Sequence, residues 1–198
     1  MLIPLGVFAS ISVIGFPLVT TGELPWSSNR PIEWDDFQGR TPEYAETILQ
    51  AAQIHITIWW RLEMIMEYDC EHHIWKAAVR GDSLVVTNTM NPSLSWIAPG
   101  KQSNTILTHE QGHFDINEVY RRKLQVVLSN HVAEGDTAEG TKEALQAQIN
   151  KTAEEILDQL AKTQERYDEE THHGTDLQGQ EAWDQTIDAW LANPSQAP

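Results

Sequence analysis

The order of hydrophobic patterns along the chain predicts an α+β fold: a small N-terminal antiparallel sheet, then a helix bearing a histidine pair, a long helix and a short C-terminal helix. Two observations carry this reading. Before residue 90 apolar and polar residues alternate with period two, with Ile54, Ile56 and Ile58 set between Gln53, His55 and Thr57, as a half-buried strand requires. After Gly135 the period lengthens to three and four residues, and Thr137 to Thr171 is rich in Ala, Glu, Gln, Lys and Leu with almost no helix breaker.

The elements follow in order. The first nineteen residues carry no charged side chain, which resembles the apolar core of an export signal. Residues 1–22 are therefore expected to be a signal peptide, with an uncleaved anchor or buried strands as alternatives, and the protein is expected to be secreted or periplasmic. Residues 23–30 read as a linker, 31–192 as the domain and 193–198 as a disordered tail. Ile48 to Glu67 is expected as a strand, and Trp75 to Val86 as two short strands around the turn Arg80-Gly81-Asp82-Ser83. Asn91-Pro92 and Pro99-Gly100 break the chain, and a helix is expected to start near Ser103 or Asn104, both good caps. On the long helix Ala144, Ala147, Ile149, Ala153, Ile156, Leu157, Leu160 and Ala161 make one apolar stripe, which Gly174 ends. The last helix is expected over Gln180 to Leu191, with Ala182, Trp183, Ile187 and Trp190 facing inward. No segment repeats at a fixed period, which excludes solenoids.

Composition excludes some partners. Thirteen Lys plus Arg against 29 Asp plus Glu give a formal charge of −16, which repels nucleic acid and anionic membrane surfaces. Membrane association is expected only through an uncleaved N-terminal segment. Cys70 is the single cysteine, so no internal disulfide braces the fold.

The chemistry concentrates in His109-Glu-Gln-Gly-His113. At about 100° per residue, histidines four apart stand one above the other on a helix face, where their imidazoles can share one Zn²⁺. Glu110 lies one step round, placed to take a proton from water without being a ligand. Gly112 costs such a helix about 1 kcal/mol relative to Ala, tolerable where a strand or substrate approaches closely. A catalytic zinc site wants a third protein ligand and an open position. The continuation Phe-Asp-Ile-Asn-Glu-Val lacks the Gly and third His of metzincins. The remaining candidates are Glu154, in a Glu-x-x-x-Asp pattern with Asp158, and His172 or His173 at the end of the long helix, which a helical hairpin would return towards the motif.

His109-Glu-Gln-Gly-His-Phe-Asp-Ile116, together with Ile32-Glu-Trp-Asp-Asp-Phe-Gln-Gly39, Tyr167-Asp-Glu-Glu-Thr-His-His-Gly174 and Gln180-Glu-Ala-Trp183, resembles the bacterial family catalogued as domain of unknown function 922. The resemblance covers roughly residues 31 to 192. It implies a secreted, zinc-dependent protease with a zincin-like domain, ligands His109 and His113, and Glu110 as the catalytic carboxylate. It points to His173, directly before the glycine, as the third ligand.

The expected activity is hydrolysis of a peptide or amide bond, with zinc as cofactor, a peptide or protein as substrate and Glu110 as general base. Tyr120, Tyr167 and His172 are candidates to stabilise the oxyanion. Asp115 and Glu118 point away from the histidine face and are expected in pairing, with Arg121 and Arg122 among the partners. Trp59, Trp60 and Trp75 either pack the sheet or line a substrate groove. The competing readings are an exported metal-binding or interaction module without activity, and a zinc amidase acting on the cell envelope.

Overall fold

The computed structural model describes residues 9–14, 22–45 and 51–198. Among the described residues seven strands precede the first of three α-helices and an eighth lies between the first and second helices, with antiparallel pairing, an α+β fold. The strands are β1 (Ala9–Ile14), β2 (Leu24–Pro25), β3 (Ala52–Gln53), β4 (Ile56–Asp69), β5 (Ile74–Val79), β6 (Val85–Met90), β7 (Trp96–Ile97) and β8 (Val132–Gly135). The helices are α1 (Asn104–Ser129), α2 (Ala138–Thr171) and α3 (Leu177–Ala192). Among the described residues no helix is long and apolar enough to cross a membrane. Of the apolar segment 1–22, residues 1–8 and 15–21 lie outside the described residues, and Ala9–Ile14 pairs antiparallel with β4.

The chain divides into two compact units. The first comprises residues 1–16, 59–86 and 123–157. In it β4 pairs with β1 and β5, and β5 pairs with β8. The period-two pattern continues along β4 as buried Leu62, Met64 and Met66. Leu124 and Leu128 of α1 and Leu145, Ile149 and Ala153 of α2 are buried in the same unit.

The second unit comprises residues 17–58, 87–122 and 158–198, and it holds the histidine motif. Here β2 pairs with β6 and β3 with β7. Ile32, Phe37, Ile54, Met90 and Phe114 form a core cluster, with Leu107 packed against it.

Several expectations are corrected. The strand expected over Ile48 to Glu67 is divided into β3 and β4, with residues 46–50 outside the described set. The division falls where the Ile54 N–H donates to Glu110 Oε2 (2.9 Å) and the His55 N–H to Ser95 Oγ (2.8 Å), which takes both amides out of any strand ladder. Residues 23–30, expected as a linker, are docked: Leu24 and Pro25 pair with Met90 and Thr89, and the Trp26 indole donates to Asp115 Oδ1 at 2.6 Å. The tail 193–198, expected to be disordered, contains a 3₁₀ turn over Pro194–Gln196 and a buried Ala197. On α2 the buried stripe runs through Thr141, Leu145, Ile149, Ala153, Ile156, Leu160, Thr163, Tyr167 and Thr171, while Ala144, Ala147 and Ala161 are exposed. Threonines, which a hydrophobicity pattern passes over, extend that stripe by back-bonding: Thr141 and Thr171 each donate to the carbonyl four residues earlier. α3 starts before Gln180 because the Asp176 side chain caps it, accepting from Gln178 N and Gly179 N.

α1 and α2 meet closely where Gly112 faces Tyr167, and a Cβ at Gly112 would overlap the Tyr167 hydroxyl and ring. The approaching group is thus a side chain of α2, where a strand or substrate was expected. Tyr167 is fully buried and cannot swing away. Gly112→Ala is therefore expected to destabilise the protein by about 1–3 kcal/mol through overpacking, against the gain of about 1 kcal/mol in helix propensity. Urea unfolding of the variant beside the parent measures it; equal or greater stability would contradict the packing described.

Candidate metal centre

α1 presents His109 and His113 one turn apart, and α2 brings Asp168 to them. His109 Nε2 and His113 Nε2 are 3.1 Å apart, and each is 3.1 Å from Asp168 Oδ1. The three atoms form an equilateral triangle. Among the described residues, these three side chains are the group of His, Cys, Asp or Glu ligands that could hold a metal ion. A cation in tetrahedral coordination at about 2.0–2.1 Å has ligand atoms about 3.3 Å apart, so the triangle has the size of one face of such a tetrahedron.

The ring nitrogens facing away from the triangle fix its tautomers. His113 Nδ1 lies 2.6 Å from Gln164 Oε1. The Gln164 amide donates to the His113 carbonyl (2.9 Å) and to Asn117 Oδ1 (3.0 Å), so its oxygen must be the atom facing the imidazole. His113 therefore donates from Nδ1 and leaves Nε2 as a lone pair. His109 repeats the arrangement. Its Nδ1 is 3.3 Å from both Gln180 Oε1 and Thr171 Oγ1, and Thr171 spends its own proton on the Tyr167 carbonyl. The Gln180 amide donates to the Tyr167 hydroxyl (2.7 Å) and to Asp184 (2.8 Å). Such partners orient metal-binding histidines and raise their basicity.

Tyr167 braces both rings. It stacks on His109 with centroids 4.7 Å apart, meets His113 edge-on at 4.9 Å and donates from its hydroxyl to the His109 carbonyl at 3.0 Å. Burial pushes its phenol well above the ordinary range, so it remains a donor. Trp183 and Trp190 continue the contact edge to face. On the other side of α1, Gln111 Oε1 accepts from the Ile32 N–H (2.8 Å), which docks the Ile32–Gly39 segment on the motif.

Glu110 is 4% exposed beside the triangle. Burial raises its pKa against the opposing fields of His113 and His109. For Asp168, burial also opposes ionisation, but the hydrogen bonds from His109 and His113 outweigh it and hold the carboxyl well below the usual range. For His113, burial disfavours the charge, while Asp168 and Glu110 together raise its pKa above the ordinary value. A cleft of about 260 Å³ opens over the triangle, walled by Ala51, Ala52, Ile54, Ile56 and Ile106 on one side and by Asn117 and Gln164 near His113.

His109, Glu110 and His113 stand together as the motif spacing implies. His173 is one step out: its Nδ1 is 3.1 Å from Asp168 Oδ1, its side chain is 72% exposed, and the mutually close ligand group has Asp168 in the place expected for it. The reason is local. Residues 172, 173 and 174 turn left-handed, with φ of 48°, 53° and 77°, which carries His173 to the cleft rim. His172 and Glu154 are exposed and outside the group. The motif spacing does not single out Asp168, because it stands on a different helix from His109 and His113. The available signal was its spacing from Gln164, two polar residues one turn apart beside a buried stripe. The oxyanion candidates also fall elsewhere: Tyr120 is buried against Thr163 Oγ1 (2.7 Å), Tyr167 is spent on His109, and neither these nor His172 lines the cleft. Trp59, Trp60 and Trp75 do not line it either. Glu118 pairs with Arg121 and Arg122, as expected, whereas Asp115 accepts from Trp26 and Gln111.

Two outcomes follow. Gln164→Leu, which removes the acceptor on His113 Nδ1, is expected to weaken divalent-metal affinity about 10–100-fold, measured by chelator competition, with helix content unchanged by circular dichroism. The raised His113 pKa sets the sign of the pH dependence: below it a proton shared with Asp168 occupies the ligand position, and above it the lone pair is free for a cation. Metal affinity is therefore expected to rise as pH climbs above the ordinary imidazole range, with proton release on binding. Titration calorimetry in two buffers of different ionisation enthalpy reads that release, and a buffer-independent heat at pH 6.5 would contradict it.

Neither the curated proteins nor the solved structures contain a match to the chain. Residues 96–174 match the model of one family, a span that contains the motif, Asp168 and the left-handed turn but neither Ile32–Gly39 nor Gln180–Trp183. That family is described as bacterial protein of unknown function (DUF922), and over that span the chain is similar to it.

Proposed function

We propose that this chain is a zinc-dependent metallopeptidase. The observation that carries the reading is the 3.1 Å triangle of two imidazole nitrogens and one carboxylate oxygen, with a buried carboxylate, Glu110, beside it. Two neutral imidazoles in fixed tautomers and one carboxylate make a nitrogen and oxygen donor set that suits zinc. His109, His113 and Asp168 would hold the ion. When bound, it supplies Lewis-acid activation of water and polarisation of a carbonyl oxygen.

The remaining work falls to the protein. One Glu110 oxygen is tied to the Ile54 N–H, which fixes the carboxylate in its plane, and Glu110 lines the cleft. Its burial strengthens it as a base, so it accepts the proton of the attacking water and passes it to the departing amine nitrogen. β3 supports a peptide as substrate. Ala51 and Gln53 bond towards β7, so the N–H and C=O of Ala52 face the side on which Ile54 meets Glu110. An extended peptide can pair along that edge while its carbonyl reaches the site.

The reading is tested by metal content and turnover together. Gently purified protein is expected to hold about one equivalent of zinc, and a value below about half an equivalent counts against the reading. Glu110→Gln is expected to keep the metal and lose roughly 10²–10⁴-fold in turnover, whereas His113→Ala and Asp168→Ala lose both. Cleavage of peptidoglycan fragments in place of peptides would move the reading to a cell-envelope amidase. Full metal with cleavage of neither would leave a metal-binding module.

A further inference from the structure

We infer that the cleft selects internal bonds in uncharged, extended segments, and that Ile106 is the residue that demands an apolar side chain beside the bond. The inference rests on the peptidase reading and adds its specificity. α1 forms the floor of the cleft as a rail: Ile106, then His109 and Glu110, then His113, then Asn117. From Ile106 to Asn117 the helix rises by eleven steps, about 16 Å at about 1.5 Å each, which spans about five residues of extended chain. The histidine pair lies near the middle, leaving room for about two substrate residues on either side.

The two ends of the rail differ. Around Ile106 the wall is Ala51, Ala52, Ile54 and Ile56. Ile54 belongs to the core cluster and Ile56 and Leu107 pack against it, so their surfaces are largely spent on the fold. Ile106 is half-buried and lines the cleft, one turn before His109. It is the apolar surface that a substrate side chain meets. Beyond His113 the wall is the amides of Asn117 and Gln164, already bonded to each other.

Charge points the same way. Among the described residues the cleft wall holds no Lys or Arg, and its acids are Glu110 and Asp168. With a divalent cation those two carboxylates balance to neutrality. Inside the rim, where the exposed His173 already faces Asp168, a charged substrate side chain, or a free terminal carboxylate or ammonium, would then be desolvated without a partner.

The test uses doubly blocked, internally quenched peptides carrying Leu, Phe, Asp or Lys on either side of a central bond, with free-ended counterparts. Wild-type cleavage is followed by fluorescence, and binding to zinc-loaded Glu110→Gln protein by anisotropy. Leu and Phe peptides are expected to be bound and cleaved at least ~10-fold better than Asp or Lys peptides, blocked and free-ended alike. Ile106→Asp, with its zinc content and circular dichroism checked, should lose the apolar preference and improve Lys peptides, while Ile106→Val should retain it. Ile106→Thr serves if the aspartate variant does not fold, and should reduce the preference. Equal handling of Leu and Lys peptides by the wild type, an unaltered preference in a folded Ile106→Asp or Ile106→Thr protein, or cleavage confined to free-ended peptides would overturn the inference while leaving the peptidase reading intact. If no peptide is bound or cleaved by zinc-loaded protein, the peptidase reading falls and the inference with it.

Discussion

The arrangement of the second unit depends on the insertion of Tyr167 against Gly112. With no Cβ in the way, α1 and α2 approach until the Tyr167 ring stacks on His109 and its hydroxyl reaches the His109 carbonyl. That contact sets the rotation of α2. Gln164 and Asp168, three residues before and one after Tyr167, are thereby aimed at opposite sides of the His113 ring. The same hydroxyl accepts from Gln180, which ties α3 to the pair. One buried side chain thus positions the candidate ligand Asp168 and both tautomer-setting amides. Glycine's cost in a helix, about 1 kcal/mol, is small beside what that approach makes possible.

The second constraint is electrostatic. Two imidazoles and two carboxylates are gathered at one side of α1, and burial opposes the charge on Glu110, His113 and Asp168 alike. Without a cation they satisfy one another, since His113 gains a proton that Asp168 and Glu110 favour. Linkage gives this pair a stability window for the metal-free protein. The depressed Asp168 pKa contributes stability above the unfolded carboxylate value near 4 and loses it as pH falls further, and the raised His113 pKa contributes below about 6.5 and is lost as pH rises through its folded value. A divalent cation held by His109, His113 and Asp168 would take over the role of the proton at higher pH. Among the described residues no buried side-chain nitrogen or oxygen lacks a hydrogen-bond partner, so the site is preorganised and not a store of unmet polarity.

The sequence made the motif legible because its information is local. His109, Glu110 and His113 share a helix, and helical phase alone fixes their relation. The α+β order and the three helices were legible for the same reason, since each rests on a periodicity within one segment. Asp168 was hidden because its role comes from the rotation of α2 relative to α1, which Tyr167 and Gly112 set together. A pairwise packing contact leaves no periodic trace. The alternation Ile54, Ile56, Ile58 is local and legible, whereas the break at Ile54 and His55 depends on bonds to Glu110 and Ser95, far along the sequence.

The turn at His172, His173 and Gly174 follows from the same geometry. A left-handed conformation costs a non-glycine residue roughly 1–2 kcal/mol, and two histidines accept it here. Gly174 could not be replaced without strain on either count: its φ is 77°, and a Cβ would sit 2.6 Å from His109 Cβ. The need lies in His109, whose two ring nitrogens are held from two helices, Nε2 by Asp168 on α2 and Nδ1 by Gln180 on α3. Eleven residues separate those partners, and between them the chain must end one helix, reverse and begin another while passing directly over the imidazole. A right-handed continuation would carry α2 past His109 and leave Nδ1 without Gln180. The left-handed turn stops α2 at Thr171, where the His173 N–H bonds back to the Asp168 carbonyl (2.9 Å) and the Asp176 N–H to the Thr171 carbonyl (2.9 Å). Those bonds offset the strain, and Asp176 then caps α3 in the direction that returns Gln180 to the ring.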